Sequence, residues 1–91
     1  MDNKKFINIC KKLVFNYYKE NTCELELTAD QIWVVWVCKT LQNNKALLTS
    51  SVSDGLYFEI TYNGDTDEIY FDAYKKVENK RVHIKACERI K

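Results

Sequence analysis

One stretch of twenty residues, 55–74 (GLYFEITYNGDTDEIYFDAY), constrains the fold of this chain more than any other part of it. Two runs of alternating apolar and polar residues flank Asn63-Gly64. This dipeptide is typical of a type I′ turn, in which both central residues adopt positive φ. The acidic residues after it lengthen the tip beyond a minimal turn. The stretch therefore predicts an antiparallel hairpin with strands over residues 56–62 and 69–74.

Residues 3–20 predict a single helix. Apolar side chains recur there at steps of three and four, as Phe6, Cys10, Leu13 and Tyr17, with the lysines off this stripe. Such spacing is typical of a helix that buries one face.

Residues 32–42 (IWVVWVCKTLQ) predict a strand because β-branched and aromatic side chains dominate them. Regular alternation places Trp33 and Trp36 on opposite faces of this strand, and apolar residues on both faces indicate a central position in the sheet. A turn at residues 43–44 and a short returning strand over 45–50 follow, since asparagine tolerates positive φ.

The sequence as a whole predicts an α+β fold, in which an N-terminal helix packs on a four- to five-stranded antiparallel meander sheet. Ninety-one residues are enough for one domain. We expect the helix over about 3–20, the sheet over about 32–85 and a tail over 86–91. The alternation in residues 81–85 (RVHIK) predicts a last strand at the edge of the sheet.

Charge is distributed in three blocks that nearly cancel to a net +1. Residues 1–19 carry five lysines and one aspartate, residues 20–72 ten acids and two lysines, and residues 73–91 seven bases and two glutamates. The ends can attract the middle across the fold, or the fold can separate an acidic face from a basic face. The sequence leaves both interpretations open.

Few residues are placed to support catalysis or metal binding. The four cysteines, Cys10, Cys23, Cys38 and Cys87, form no C-x-x-C pair, and the single histidine, His83, lies between two basic residues. We therefore expect no catalytic residue, no metal site and no cofactor. The N-terminus, MDNKKF, is unlike a secretory leader, and the longest uncharged run is too short to span a bilayer. A cytoplasmic location with free thiols and no membrane contact is expected.

Acidic and aromatic side chains converge on the hairpin and the preceding strand, which makes this region the candidate protein-binding surface. Carboxylates can imitate a phosphate backbone, and exposed tryptophan and tyrosine are favoured interface anchors. The candidate residues are Glu59, Asp65, Asp67, Glu68, Asp72, Trp33, Trp36, Tyr57 and Tyr70.

Two alternative functions remain open from the residues alone. The first is a small nucleic-acid-binding accessory protein that uses the basic C-terminal segment. Its candidate residues are Lys75, Lys76, Arg81, His83 and Lys85. The second is a pocket protein that binds a small nucleotide as an oligomer, such as a homodimer.

The order of segments also resembles a family of short proteins. The segments WVCKTLQNNKAL and YNGDTDEIYFDAYK carry the resemblance most specifically, and it extends over roughly residues 3–85. The family is encoded by phages and prophages of Gram-positive bacteria and is known only as a domain of unknown function. The resemblance implies no catalytic residues. It implies a small non-enzymatic protein of the host bacterial cytoplasm that binds and inhibits a bacterial host protein, such as a CRISPR nuclease or another defence enzyme.

Overall fold

The computed structural model describes residues 1–21, 27–52 and 55–88, with residues 86 and 87 given by their backbone alone. The elements, in chain order, are helix α1 (Asn3–Asn21), a 3₁₀ turn (Ala29–Gln31), strands β1 (Ile32–Thr40), β2 (Asn43–Ser50), β3 (Leu56–Asn63) and β4 (Glu68–Lys75), and the short helix α2 (Ile84–Cys87). The segment over 24–30, which connects α1 to the first strand, and the tail predicted over 86–91 lie partly outside the described residues.

Helix α1 begins where the sequence predicts it. The Asp2 side chain caps it, since its Oδ1 accepts a hydrogen bond of 2.8 Å from the Lys5 backbone N–H. The buried face consists of Phe6, Cys10, Val14 and Tyr18, at exact steps of four residues. The lysines of the opposite face stay largely in solvent. Burial of this apolar stripe against the sheet stabilises the helix, because an isolated helix of this length is marginal in water.

The four strands form one antiparallel sheet in the order β1-β2-β3-β4, which confirms the predicted α+β meander. Helix α1 packs mainly on β1 and β2, and its Tyr17 and Tyr18 rings reach Phe58 on β3, so the core lies between the helix and these three strands. We call the side of the sheet beneath α1 the inner face. The buried apolar residues of the core are Phe6, Cys10, Val14, Tyr18, Leu27, Ile32, Ala46, Leu48, Phe58 and Ile60.

Strand β1 differs from its predicted form in two respects. It lies at the edge of the sheet and not in the centre. Its register shifts between Val34 and Trp36, so that Trp33 pairs with Thr49 and Trp36 with Leu47. Because Thr49 and Leu47 are two residues apart on a regular strand, both tryptophans lie on the same face, and the prediction of opposite faces was wrong. The physical reason is a β-bulge, which adds one residue on β1 without a partner on β2.

The two hairpin turns also differ from prediction. The β1–β2 turn lies at Leu41-Gln42, with Leu41 at φ 55°, while residues 43 and 44 already belong to β2. The β3–β4 tip is a four-residue turn over 64–67, and its positive φ, 54°, belongs to Asp67 and not to Asn63 or Gly64. The hairpin was therefore predicted correctly, but its type I′ turn was wrong.

The predicted fifth strand is not formed. The Lys76 N–H donates a last hydrogen bond of 2.7 Å to the Gly55 carbonyl, and residues 77–83 then leave the sheet without regular secondary structure. Residues 84–87 form a single helical turn. We call residues 76–85 the C-terminal arm; its described side chains are exposed. The alternation of RVHIK predicted a strand, but a strand also requires a neighbour to bond, and here the arm projects away from β4.

Candidate functional site

The face of the sheet opposite α1 carries most of the candidate residues, and we call it the open face. Cross-strand pairing and alternation assign its side chains on all four strands. The open face consists of Trp33, Trp36 and Cys38 on β1, Lys45, Leu47 and Thr49 on β2, Tyr57, Glu59 and Thr61 on β3, and Glu68, Tyr70, Asp72 and Tyr74 on β4.

Three aromatic side chains, Trp33, Tyr57 and Tyr74, share one cross-strand row at one end of the open face, with Thr49 between the tryptophan and the tyrosines. Trp33 is aligned with Thr49, which is aligned with Tyr57, which in turn is aligned with Tyr74. Trp36 lies in the next row, and the exposed fractions of Trp33 and Trp36 are 52% and 42%. Side chains of this size are seldom left in water unless they serve recognition, since they are the commonest anchors of protein interfaces.

Carboxylates occupy the middle of the open face. Glu59 and Asp72 are direct cross-strand partners, an arrangement that is destabilising for like charges. The Lys45 ammonium lies 3.2 Å from the Glu59 carboxylate and offsets part of this repulsion. An ion pair that is half open to solvent contributes little to stability. Together with Lys45, the two acids leave one unbalanced negative charge in the row of Trp36, with Leu47 between the ring and Glu59.

Two of the predicted acids, Asp65 and Asp67, lie at the β3–β4 tip and have structural partners. The Tyr62 hydroxyl donates a 2.7 Å hydrogen bond to Asp67, and this bond raises the pKa of Tyr62. The Gln42 amide donates to Asp65 across the gap between the two turns. These acids hold the tip together, whereas Glu68 and Asp72 are exposed on the open face.

The tip of the β3–β4 hairpin is joined closely to the β1–β2 turn. The Gly64 N–H donates a 3.0 Å hydrogen bond to Asn43 Oδ1. A Cβ on Gly64 would lie 2.1 Å from the Gln42 carbonyl oxygen, so this position requires glycine for close approach rather than for positive φ. The two hairpins are thereby locked at one end of the sheet, which fixes the outline of the open face.

A shallow groove of about 370 Å³ lies on the open face beside Trp36. Cys38 and Lys45 line it with Thr40 and Thr61, and the thiol of Cys38 is free and exposed. The groove forms a depression in the open face next to the Trp36 side chain. Leu47, Tyr74 and Lys45 belong to the open face although sequence reasoning did not select them as site residues. The alternation of residues 69–74 puts Tyr74 on the same face as Tyr70 and Asp72, so alternation alone was sufficient to select Tyr74.

The residues of the nucleic-acid alternative lie elsewhere. Lys75 ends β4, and the other four occupy the C-terminal arm, where all are exposed. His83 Nε2 lies 3.5 Å from an Arg81 guanidinium nitrogen, and this is the contact that the structure gives to the histidine ring. These bases are not assembled on the open face. For the pocket alternative, a cavity of about 520 Å³ lies beside the solvent face of α1 and is lined by Asn8, Lys11, Lys12, Phe15, Asn16 and Ala29.

The fold separates charge by layer. The lysines of α1 lie on one side of the molecule, and the carboxylates of the open face and its tip lie on the other. Within the described residues one ion pair is formed, Lys45–Glu59, and it lies within the sheet. Of the two interpretations of the charge blocks, the structure therefore supports separate acidic and basic faces.

Two further searches cover only residues 1–21, 27–52 and 55–88. In this part of the chain no three histidine, cysteine or acidic side chains are grouped closely enough to hold a metal ion. None of the helices in these ranges is long and apolar enough to cross a membrane.

One helix layered on a four-stranded meander, with the opposite face uncovered and aromatic, defines this chain as a small two-layer α+β protein. A family model described as a family of unknown function, DUF6275, matches residues 7–84, and the chain belongs to this family. This match confirms the resemblance to a family of unknown function. No curated protein and no solved structure matches the chain.

Proposed function

We propose that this protein is a small non-enzymatic binding protein that captures a bacterial host protein through its open face and inhibits it. The observation that carries the proposal is the placement of Trp33 and Trp36, both exposed, on the same face of the sheet as the like-charge pair Glu59 and Asp72. Aromatic anchors around unbalanced carboxylates suit a partner surface that is rich in arginine and lysine.

A basic partner surface of this kind is what a nuclease presents to its nucleic acid. An acidic sheet face of similar dimensions can occupy that groove and exclude the substrate. We therefore propose inhibition of a host defence enzyme, of the CRISPR nuclease type, in the cytoplasm of a Gram-positive host, with the gene carried by a phage or prophage. The resemblance described above supports this context, and the acidity of the open face and tip supports the mechanism.

Capture from host lysate tests the binding half of the proposal. The immobilised chain is compared with a Trp33→Ala/Trp36→Ala variant, and the retained proteins are identified by mass spectrometry. We expect the double variant to lose the partner at least tenfold, because central aromatic anchors dominate interface energies. The matched control is Phe15→Ala, which removes an exposed aromatic ring from α1 on the other side of the molecule. Equal loss in both variants would contradict the assignment of the surface.

Charge reversal tests the choice of partner chemistry. Asp72→Lys should weaken capture without lowering the melting temperature, since Asp72 is exposed and lies opposite another acid. Asp30→Lys, an exposed acid outside the open face, is the control and should leave capture unchanged. Asp65 and Asp67 are unsuitable for this test because they hold the tip. The purified partner should then lose its nuclease activity with the native chain and keep it with Asp72→Lys.

The exposed basic arm favours one second candidate, direct nucleic-acid binding. It predicts retention on single- or double-stranded DNA that falls steeply with salt and is lost when the arm bases are neutralised. Retention that survives Trp33→Ala/Trp36→Ala but not loss of the arm bases would favour this candidate over protein capture.

A further inference from the structure

The inner face of the sheet is covered incompletely at its β4 edge. Four strands at about 4.8 Å spacing exceed the diameter of one helix, about 10 Å, so α1 cannot shield them all. It packs mainly on β1 and β2, and its Tyr17 ring reaches Phe71 on β4 at 5.7 Å between ring centroids. On β4, Ile69 and Phe71 point to the inner side and are partly buried against the core, whereas Ala73 on the same side is exposed. A groove of about 250 Å³ opens there between the helix and the strand, lined by Leu13, Asn16, Tyr17, Glu20 and Phe71.

Within residues 1–21, 27–52 and 55–88, no strand pairs with the outer side of β4, which ends the order β1-β2-β3-β4. Its outer backbone N–H and C=O groups are therefore available to another strand. An exposed edge of this length without a bulge or proline is a template for strand addition. The edge and the groove beside it form one continuous site, which needs an extended segment with apolar side chains on one side.

The C-terminal arm has that pattern. Val82 and Ile84 alternate with Arg81, His83 and Lys85, so the arm presents apolar side chains on one side and basic side chains on the other once the helical turn that begins at Ile84 is extended. Strand β4 has the complementary pattern, with Ile69 and Phe71 on its inner side and Glu68 and Asp72 on its open side. The apolar side of the arm therefore matches the inner side of β4 by apolar contact, and the basic side of the arm matches the open side of β4 by charge.

The arm does not reach the β4 edge of its own chain. Val77, directly after the last backbone bond, is 96% exposed, and residues 77–83 contain no turn that would return the arm to β4. The radius of gyration, 16.0 Å, exceeds the roughly 12 Å of a compact chain of this length. The C-terminal arm projects from the sheet, and the unpaired edge of β4 has a side-chain pattern that matches it. Proteins that exchange segments between copies have this arrangement.

We propose that the arm of one copy adds as a fifth strand to the β4 edge of a second copy, reciprocally, to give a two-fold homodimer. Val82 and Ile84 fill the groove beside Phe71, and Arg81 and Lys85 approach Asp72 and Glu68 on the partner's open side. The strand predicted from RVHIK is thus formed between chains. Asp72 then serves both contacts, so Asp72→Lys is expected to weaken the dimer as well as host-protein capture. Trp33 and Trp36, at the opposite edge of the sheet, remain free for the proposed partner.

Sedimentation equilibrium of the full chain over a range of micromolar concentrations tests this proposal. We expect a monomer–dimer equilibrium that Val82→Asp/Ile84→Asp weakens at least tenfold. The matched control is Val35→Asp/Leu41→Asp, because Val35 and Val82 are 50% and 51% exposed and Leu41 and Ile84 are 82% and 75% exposed. The control should dimerise normally, as should Trp33→Ala/Trp36→Ala, so that failure of this proposal is distinguishable from failure of host-protein capture.

Hydrogen exchange supplies a second readout. The amides of β4 that point away from β3 should gain protection as the concentration rises, and only in chains that dimerise. A chain that is monomeric at every concentration overturns the proposal, as does a dimer that both aspartate variants affect equally. If the chain is monomeric and Val82→Asp/Ile84→Asp lowers its melting temperature, the arm covers the sheet of its own chain. This result also overturns the proposal that the arm is exchanged between copies.

Discussion

On the inner face of the sheet, Leu48, Phe58 and Ile60 are fully buried beneath α1 and its aromatic neighbours, whereas on the open face Trp33 and Trp36 stand in solvent. The inner face is apolar beneath the helix, whereas the open face combines aromatic rings with Lys45, Glu59 and Asp72. Helix α1 packs on the inner side only. The chain therefore has more apolar surface than its own core can bury, and the surplus lies on one side of the sheet, where a second molecule can reach it.

Truncation of one large aromatic ring on each face should give the largest contrast. Phe58 packs at 5.2 Å from Tyr17 and 5.5 Å from Phe71 between ring centroids, so Phe58→Ala removes the centre of an aromatic cluster. We expect it to lower the free energy of unfolding by about 3–5 kcal/mol. Trp36→Ala should cost no more than about 1 kcal/mol. Urea denaturation followed by circular dichroism measures both. Equal losses would show that the open face is covered in solution.

Two free thiols in the described part of the chain, Cys10 and Cys38, report on the same contrast, and Cys10 does so through pH. Burial raises the pKa of the Cys10 thiol from 9.0 to about 12, so the folded state holds a proton that the unfolded chain releases. The stability contributed by this neutral thiol is complete below pH 9.0 and is lost as pH rises toward 12. The slope is about 1.4 kcal/mol per pH unit. Denaturation at alkaline pH should show a shallower decline for Cys10→Ala than for the native chain.

Alkylation with peptide mapping gives the complementary measurement on the open face. Cys38 is exposed and should react rapidly in the folded chain, whereas Cys10 is fully buried and should react only as the chain unfolds. Rapid labelling of Cys10 under native conditions would mean that α1 separates readily from the sheet.

Deletion of Val35 should have the smallest effect. Val35 is the bulged residue, half-exposed, and without it the sequence around it alternates regularly with both tryptophans still on the open face. We expect a loss below about 1 kcal/mol and unchanged quenching of tryptophan fluorescence by acrylamide. Deletion of Thr61 is the control, since β3 is paired on both sides and a shift there should prevent folding. Loss of quenching in the Val35 deletion would show that the bulge itself keeps Trp36 exposed.

The sequence was sufficient for the elements that depend on local patterns. Steps of three and four residues predicted α1, although its buried face runs through Val14 and Tyr18 rather than Leu13 and Tyr17. The alternation around Asn63-Gly64 predicted the β3–β4 hairpin. The same alternation placed Glu59, Asp72, Tyr57 and Tyr70 correctly, because β3 and β4 are regular.

Features that depend on a neighbouring segment were beyond these patterns. A bulge does not alter the composition of β1, so regular alternation assigned Trp33 and Trp36 to opposite faces. The strand preference of RVHIK is real as a pattern, but the structure places no partner next to it within the chain. The tip was assigned a type I′ turn because Gly64 suits positive φ, whereas the contact with Gln42 is what requires glycine there.

The lock between the two hairpin turns has a consequence for the kinetics of folding. It joins Gln42 to Asp65 and Asn43 to Gly64, residues 23 and 21 positions apart, and it can form only after both hairpins exist. Contacts that form after the transition state change the unfolding rate and leave the folding rate almost untouched. Gly64→Ala should therefore accelerate unfolding in stopped-flow experiments with little change in refolding. The lock would set how long a folded molecule persists before it opens, and slower refolding would show instead that the turns meet early.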